Sequence, residues 1–157
     1  MLRITKQTDY GIVLMTHLAL QPEAQQSAPE LADALRIPLP MVSKILKLLA
    51  KDGLLVSQRG VRGGYGLARS PERLTVAEIV HALEGPISIT ECIEEQGAGD
   101  CARVSYCAVR GNWQVINGAV MRALEGITLA EMTHPLRAAQ AAQLVQLGGR
   151  QRAATPA

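Results

Sequence analysis

Two short helical segments, joined by a tight turn, constrain the fold of this chain more than any other feature. Ser27-x-x-Glu30 is a capping box that opens the first of them. Arg36-Ile37-Pro38 then predicts a turn, because proline ends the preceding helix. Pro40 suits the first turn of the next helix, and Gly53 suits its end. Four apolar residues at helical spacing predict the buried stripe of that second helix: Val42, Ile45, Leu46 and Leu49.

The opposite side of this helix and the segment after it predict a DNA-binding surface. Residues 54–57 and 65–68 are typical of paired strands, and the loop between them is rich in glycine and arginine. Two helices followed by such a hairpin indicate a winged helix-turn-helix, although an ordinary surface hairpin has the same composition. Glycines let the loop approach a DNA groove, and an arginine can enter a minor groove. The predicted DNA-facing residues are Met41, Ser43, Lys44 and Lys47 on the helix, with Arg59 and Arg62 on the hairpin.

Charge is distributed unevenly along the chain. Residues 1–73 contain ten Lys/Arg against six Asp/Glu, whereas residues 74–157 contain six against eight. Within 36–69, seven basic residues stand against Asp52 alone. A local excess of this kind favours a polyanionic partner such as double-stranded DNA, although a solvated basic face has the same pattern.

Further capping signals organise the rest of the chain. We expect a first helix from Thr5 to about Leu20, a helix opened by Thr75-x-x-Glu78 and a short one opened by Thr128-x-x-Glu131. A long amphipathic helix is predicted over 109–125, with an apolar seam of Trp113, Ile116, Val120 and Leu124. The predicted fold is therefore mainly α. It consists of a winged helix-turn-helix domain (1–85), a cysteine-bearing loop (86–108), the long helix with its cap (109–134) and a flexible tail (135–157).

All the cysteines of the chain, Cys92, Cys101 and Cys107, fall in the segment 86–108 with the pattern C-x8-C-x5-C. The chain starts without the pattern of a signal peptide and its apolar runs are too short to span a bilayer, so a cytoplasmic protein is expected. Clustered thiols in that compartment serve metal or redox chemistry more often than a structural disulfide. The residues alone leave open an iron–sulfur cluster, a structural zinc ion, a cluster-free thiol switch and inert cysteines.

Taken in order along the chain, these motifs resemble the iron–sulfur winged-helix repressors that include IscR and NsrR. The resemblance covers residues 1 to about 133 and is greatest to the regulators of the SUF iron–sulfur assembly system. It rests on residues 2–6, Thr8-Asp9-Tyr10-Gly11, 40–55, 59–65 and 75–79, and on the three cysteines, Trp113 and 127–132.

The resemblance implies a homodimer with the helix 109–125 as its dimerisation helix. It also implies a cluster, [4Fe–4S] in preference to [2Fe–2S], held by the three cysteines and a ligand of another type. IscR-like members take that ligand from a histidine, but the matching position here is Arg110, whose protonated guanidinium has no lone pair to offer. NsrR-like members use an aspartate in the first helix of the other subunit, and Asp9 occupies the matching place. Four carboxylates of the cysteine loop compete for this role: Glu91, Glu94, Glu95 and Asp100.

The expected function is transcriptional repression of suf-type cluster-assembly genes in response to cluster status. No enzymatic activity, membrane contact or small-molecule substrate is expected. A nitric-oxide-responsive or redox-responsive repressor of the same family is the alternative. A structural zinc protein or a redox electron-transfer protein is the alternative from another class, and the lack of a flavin or nicotinamide fingerprint argues against the electron-transfer protein.

Overall fold

The computed structural model describes residues 4–60, 63–90, 93 and 105–134. The predicted tail and most of the predicted cysteine loop lie outside these ranges. The mostly helical architecture with one antiparallel two-stranded sheet confirms the predicted winged helix-turn-helix fold class. No helix within the described ranges is long and apolar enough to cross a membrane. In chain order the elements are α1 (Lys6–Ala19), α2 (Ala28–Leu35), α3 (Leu39–Lys51), β1 (Leu55–Gln58), β2 (Gly64–Leu67), a 3-10 turn (Pro71–Arg73), α4 (Val76–Glu84), α5 (Arg110–Glu125) and α6 (Leu129–Met132).

Polar side chains start four of these helices at the residues that the sequence indicated. The hydroxyl of Thr5 caps α1. Capping boxes at Ser27, Thr75 and Thr128 open α2, α4 and α6. Between α2 and α3, Arg36 adopts a left-handed backbone conformation with a φ of 54°. This residue ends α2 and makes the tight turn of the helix-turn-helix.

The two strands of the wing pair one residue away from their predicted bounds of 54–57 and 65–68. Leu55 pairs with Leu67, and Gln58 pairs with Gly64. On the far side of β2, the Tyr65 N–H donates to the Gln26 carbonyl at 2.8 Å, and the Gln26 N–H donates to the Tyr65 carbonyl at 3.1 Å. The bridge joins residues far apart in the sequence, so local composition did not predict it.

A single apolar core joins α1, α3, α4 and α6 beneath the helix-turn-helix. Gly11 lies at the centre of this packing, where a Cβ atom would overlap the Cδ1 of Leu83 on α4 and lie 3.6 Å from the Cγ2 of Ile45 on α3. The glycine therefore allows α1 to lie directly against both helices. The largest fully buried apolar side chains of the core are Leu14, Met15, Leu18, Leu31, Val42, Ile45, Leu46, Leu49, Leu74, Ile79 and Leu129.

We expect Gly64→Ala to lower the free energy of unfolding by about 1–3 kcal/mol, the usual cost of overpacking. An added Cβ would lie 2.7 Å from the carbonyl carbon and oxygen of Gln26, and backbone atoms cannot swing away as a flexible side chain does. Gly66→Ala is the matched control, because its Cβ would meet its nearest neighbour, the Cγ of Gln25, at an ordinary 3.4 Å. Urea denaturation measures both variants. Equal destabilisation of the two would show that the Gln26 bridge does not restrict position 64.

Candidate nucleic-acid interface and cysteine segment

Helix α3 has one buried side and one charged side, as expected for a recognition helix. Lys44 and Lys47, one turn apart, are exposed on it. Ser43 is half-buried, and Met41 is half-buried and packs against the core. The ammonium groups of the two lysines are thus the accessible charges among the four predicted DNA-facing residues of α3. The buried side consists of the predicted stripe Val42, Ile45, Leu46 and Leu49.

On the wing, Arg59 lies exposed directly after β1. Gly60 has a φ of 128°, which only glycine adopts readily, and its carbonyl accepts the Gly63 N–H at 2.9 Å. A Cβ on Gly63 would overlap the Gln58 carbonyl oxygen and lie 2.9 Å from the Arg59 carbonyl carbon. Position 60 therefore needs the backbone freedom of glycine, and position 63 has no room for a side chain. The other predicted wing residue, Arg62, lies outside the described residues.

Arg69, one of the seven basic residues in 36–69, makes contacts within the fold. The Nη2 of Arg69 lies 2.8 Å from the Oε1 of Glu78, and its Nη1 donates to the Arg73 carbonyl at 3.4 Å. Burial raises the pKa of Glu78, but hydrogen bonds from the Thr75 N–H and from Arg69 outweigh it, and the net pKa is lowered. Glu78 is therefore ionised near neutral pH, and Arg69 joins the end of the wing to α4. Arg69 is thus engaged within the fold, and the charges predicted to face DNA are those of α3 and the wing.

The last cysteine, Cys107, lies three residues before the start of α5. Cys107 has a free, half-buried thiol, and its carbonyl accepts the Arg110 N–H at 3.4 Å. Within the described ranges, no three His, Cys, Asp or Glu side chains converge as a metal site. The two other cysteines and the four loop carboxylates predicted as alternative ligands lie outside those ranges: Cys92, Cys101, Glu91, Glu94, Glu95 and Asp100.

The donor set nevertheless fits an iron–sulfur cluster on chemical grounds. Three cysteines share one segment, and Cys107 is neither deeply buried nor in a disulfide. Arg110 stands at the first position of α5, and its guanidinium supplies no ligand. Any ligand besides the thiolates must therefore come from another residue or from a small molecule.

Asp9, the predicted fourth ligand, lies exposed in the first turn of α1. The hydroxyls of Thr5 and Thr8 beside it both donate to the carboxylate of Glu84 at the end of α4. These hydrogen bonds, that of Thr5 first, hold the pKa of Glu84 below its ordinary value. Glu84 is thus satisfied within its own chain, whereas the carboxylate of Asp9 faces outward into the surroundings of the single chain.

Helix α5 lies on the rest of the fold without burying any of its residues. Its predicted seam is half-buried at Trp113, Val120 and Leu124, and 44% exposed at Ile116. Val115 is 69% exposed, and Val109 just before the helix is 50% exposed. An apolar surface of this extent is typical of a protein interface.

Two residues with long-range contacts, Glu84 and Asn117, were not predicted from the sequence. Glu84 was not singled out in the sequence, yet its carboxylate accepts hydrogen bonds from the N–H and the hydroxyl of Thr5 at the start of α1. Asn117 lies in the middle of α5, where its amide binds the backbone of residues 87 and 89. An asparagine within a helix is a weak signal by itself, because the contact that uses it is distant in the sequence.

Comparisons with known proteins agree with this architecture. Residues 4–135 match the Rrf2 family, described as an iron-dependent transcriptional regulator. The chain is 30% identical to the HTH-type transcriptional regulator NsrR of Shouchella clausii over 132 residues, which cover 83% of this chain and 88% of NsrR. It is 28% identical to the HTH-type transcriptional regulator IscR of Escherichia coli over 134 residues, covering 85% of this chain and 81% of IscR. The structure of CymR, the global cysteine regulator of B. subtilis, superposes with a TM-score of 0.67 at 30% identity, covering 85% of this chain and 97% of CymR.

The expected resemblance to IscR and NsrR is confirmed, and so is the expectation of a regulator instead of an enzyme, because these relatives are transcriptional regulators. The recognition helix, the wing and the order of helices agree with that assignment. The chain therefore belongs to the Rrf2 family of transcriptional regulators, as an IscR/NsrR-like member with a winged helix-turn-helix.

Proposed function

We propose that this protein is a homodimeric cytoplasmic repressor that binds operator DNA and senses iron–sulfur status through a bound cluster. Its proposed targets are suf-type genes for cluster assembly. The observation that carries the proposal is the placement of all three cysteines between a winged helix-turn-helix and a helix with an exposed apolar face. The family description as iron-dependent regulators supports the same reading.

The exposed apolar surface of α5 supports the homodimer. No residue of this helix is fully buried in its own chain, and Val115 and Ile116 expose apolar surface to water. Covering that surface with the same helix of a second copy removes it from water in both chains. The two winged domains are then held at a fixed separation for the two halves of an operator.

Cys92, Cys101 and Cys107 would hold the cluster, with Asp9 of the other subunit as the remaining ligand. Once bound, a cluster supplies a centre that responds to iron, oxygen or nitric oxide, and [4Fe–4S] is proposed in preference to [2Fe–2S]. The outward exposure of Asp9 in its own chain is compatible with a ligand role across a dimer. A hard carboxylate in place of a thiolate leaves a more exchangeable bond.

On DNA, Lys44 and Lys47 would neutralise phosphates, since both ammonium groups are exposed on α3. Arg59 and Arg62 on the wing would read bases or groove width. Met41 and Ser43 lie near the start of α3, the part of a recognition helix that meets base edges in helix-turn-helix proteins.

A second function is favoured by one observation, the structural match to CymR at 30% identity. In this alternative the cysteines act as a thiol sensor without a cluster. A nitric-oxide-responsive or redox-responsive repressor, a structural zinc protein and an electron-transfer protein are the further alternatives.

Metal and sulfide analysis of protein purified without oxygen separates these functions. The proposal expects iron and inorganic sulfide bound in a cysteine-dependent manner, lost in Cys107→Ser, together with specific binding to a suf-type operator. Zinc alone would support the structural alternative, and neither metal would support a thiol sensor. Cluster binding without operator affinity would support electron transfer.

Replacing Lys44 and Lys47 by alanine should weaken binding to every DNA sequence. Each lost phosphate contact should reduce the slope of log affinity against log salt by about 0.9. Titrations of DNA at several salt concentrations measure this slope. Arg73→Ala, which removes an exposed charge from the 3-10 turn, is the control. If the double variant kept the affinity and slope of the wild type, α3 would not face the phosphates.

Replacing Arg59 by alanine should reduce the preference for operator over random DNA by about 1–3 kcal/mol, the usual value of a good base contact. Competition binding with operator and scrambled duplexes gives this ratio. An equal loss of affinity on both duplexes would instead make Arg59 a contact to the sugar–phosphate backbone.

Replacing Asp9 by alanine should shorten the lifetime of the cluster in air and change DNA affinity together, while the dimer stays folded. The cluster would lose a ligand, and α1, which carries that ligand, packs against the recognition helix. Absorbance decay and DNA titration measure the two effects. Glu72→Ala, which removes an exposed carboxylate from the 3-10 turn, is the control. Unchanged spectra, lifetime and affinity would leave Asp9 as a helix-start carboxylate favoured by the dipole and direct the search to the loop carboxylates.

A further inference from the structure

The side chain of Asn117 binds two backbone groups of one short segment. Its Nδ2 donates to the Ile87 carbonyl at 3.2 Å, and its Oδ1 accepts the Ile89 N–H at 3.1 Å. Both ends of the amide are therefore used, on groups that flank Ser88. Two hydrogen bonds to one segment fix its orientation as well as its distance from α5.

The segment held in this way needs such a partner. Residues 85–90 contain no helix or strand, so their half-buried backbone groups lack the regular partners of secondary structure. Asn117 is itself half-buried, which shields both hydrogen bonds from competing water. Asparagine in the middle of a helix does not stabilise the helix itself. The contribution of Asn117 is therefore its contact with this segment.

The segment bound by Asn117 lies next to the cysteines in the sequence. Ile89 comes three residues before Cys92, and α5 begins three residues after Cys107. Asn117 therefore ties the chain leading to the first cysteine to the helix that follows the last one. On its other side, Pro86, Ile87 and Ser88 face Thr8 of α1 and Glu84 of α4 across a cavity of about 310 Å³.

We propose that Asn117 is a positioning residue of the metal centre, which sets the approach of the chain to Cys92 relative to Cys107. This inference rests on the proposed function in one respect: the cysteines act together on one metal centre. Residues that orient metal ligands without touching the metal commonly change metal affinity 10–100-fold when they are replaced. Loss of Asn117 raises the entropic cost of bringing the thiolates together and alters their relative geometry. It removes none of the thiolates themselves.

Cobalt(II) binding to the full-length apoprotein tests the inference without requiring a cluster. The absorbance of the thiolate–cobalt bond gives a Kd, and Asn117→Ala should raise it about 10–100-fold. Asn117→Asp keeps the acceptor for the Ile89 N–H and loses the donor to Ile87, so its Kd should lie between the two. Hydrogen exchange at the Ile89 amide should become faster in Asn117→Ala, which confirms that the contact has been lost.

Asn112→Ala is the matched control, because Asn112 is an exposed asparagine in the first turn of the same helix. It should leave the Kd for cobalt unchanged, and both alanine variants should keep the dimer mass and the melting temperature of the apoprotein close to those of wild type. A Kd in Asn117→Ala equal to that in Asn112→Ala would overturn the inference, as would a wild-type apoprotein that binds no cobalt through its thiolates. A wild type that accepts no iron–sulfur cluster, while Asn117→Ala still weakens cobalt binding, would overturn the proposed sensor and uphold the positioning role.

Discussion

The close approach of α1 to α3 and α4 at Gly11 is the constraint on which the rest of the structure depends. A Cβ at this position would overlap the Cδ1 of Leu83 on α4, so Leu83 would have to move, and it would lie in contact with Ile45 on α3. Ile45 belongs to the buried side of the recognition helix, whose exposed side carries Lys44 and Lys47. Because packed interiors yield little, a shift of α1 must be shared by α3, the helix proposed to face DNA. The start of α1, with Asp9, is thus coupled through packing to the proposed DNA-binding surface.

A second link joins the start of α1 to the segment that leads into the cysteines. Glu84 ends α4 and accepts hydrogen bonds from Thr5 and Thr8 at the start of α1. Gly85 follows with a φ of 86° and turns the chain away from the helix axis. Residues 87 and 89 are then bound to α5 by Asn117. The cysteine segment therefore begins between a residue bound to α1, Glu84, and two backbone groups bound to α5.

The sequence predicted the features that depend on neighbouring residues and missed those that depend on distant ones. Helix caps at Ser27, Thr75 and Thr128 were predictable because each box involves residues only three apart. The strand bounds were predicted to within one residue, whereas the bridge from Gln26 to β2 was not predicted, because it joins residues far apart in the sequence. The apolar seam of α5 was recognised, but its exposure was not, since periodicity does not reveal whether the covering surface belongs to the same chain. The role of Asn117 was missed because its backbone partners are also distant in the sequence. The cysteine pattern was predictable because the chemistry of a thiolate belongs to the residue type itself.

The arginine at position 110 gives the proposed sensor its particular form. A histidine at the start of α5 would complete a metal centre within one chain, whereas a guanidinium cannot. A ligand from α1 of the other subunit would instead make the centre part of the dimer interface. Loss of the cluster would then release α1, and through Gly11 the change would reach α3 of the same winged domain. Cluster chemistry in one subunit would in this way alter the DNA-binding surface of its partner, so the two halves of an operator would respond together.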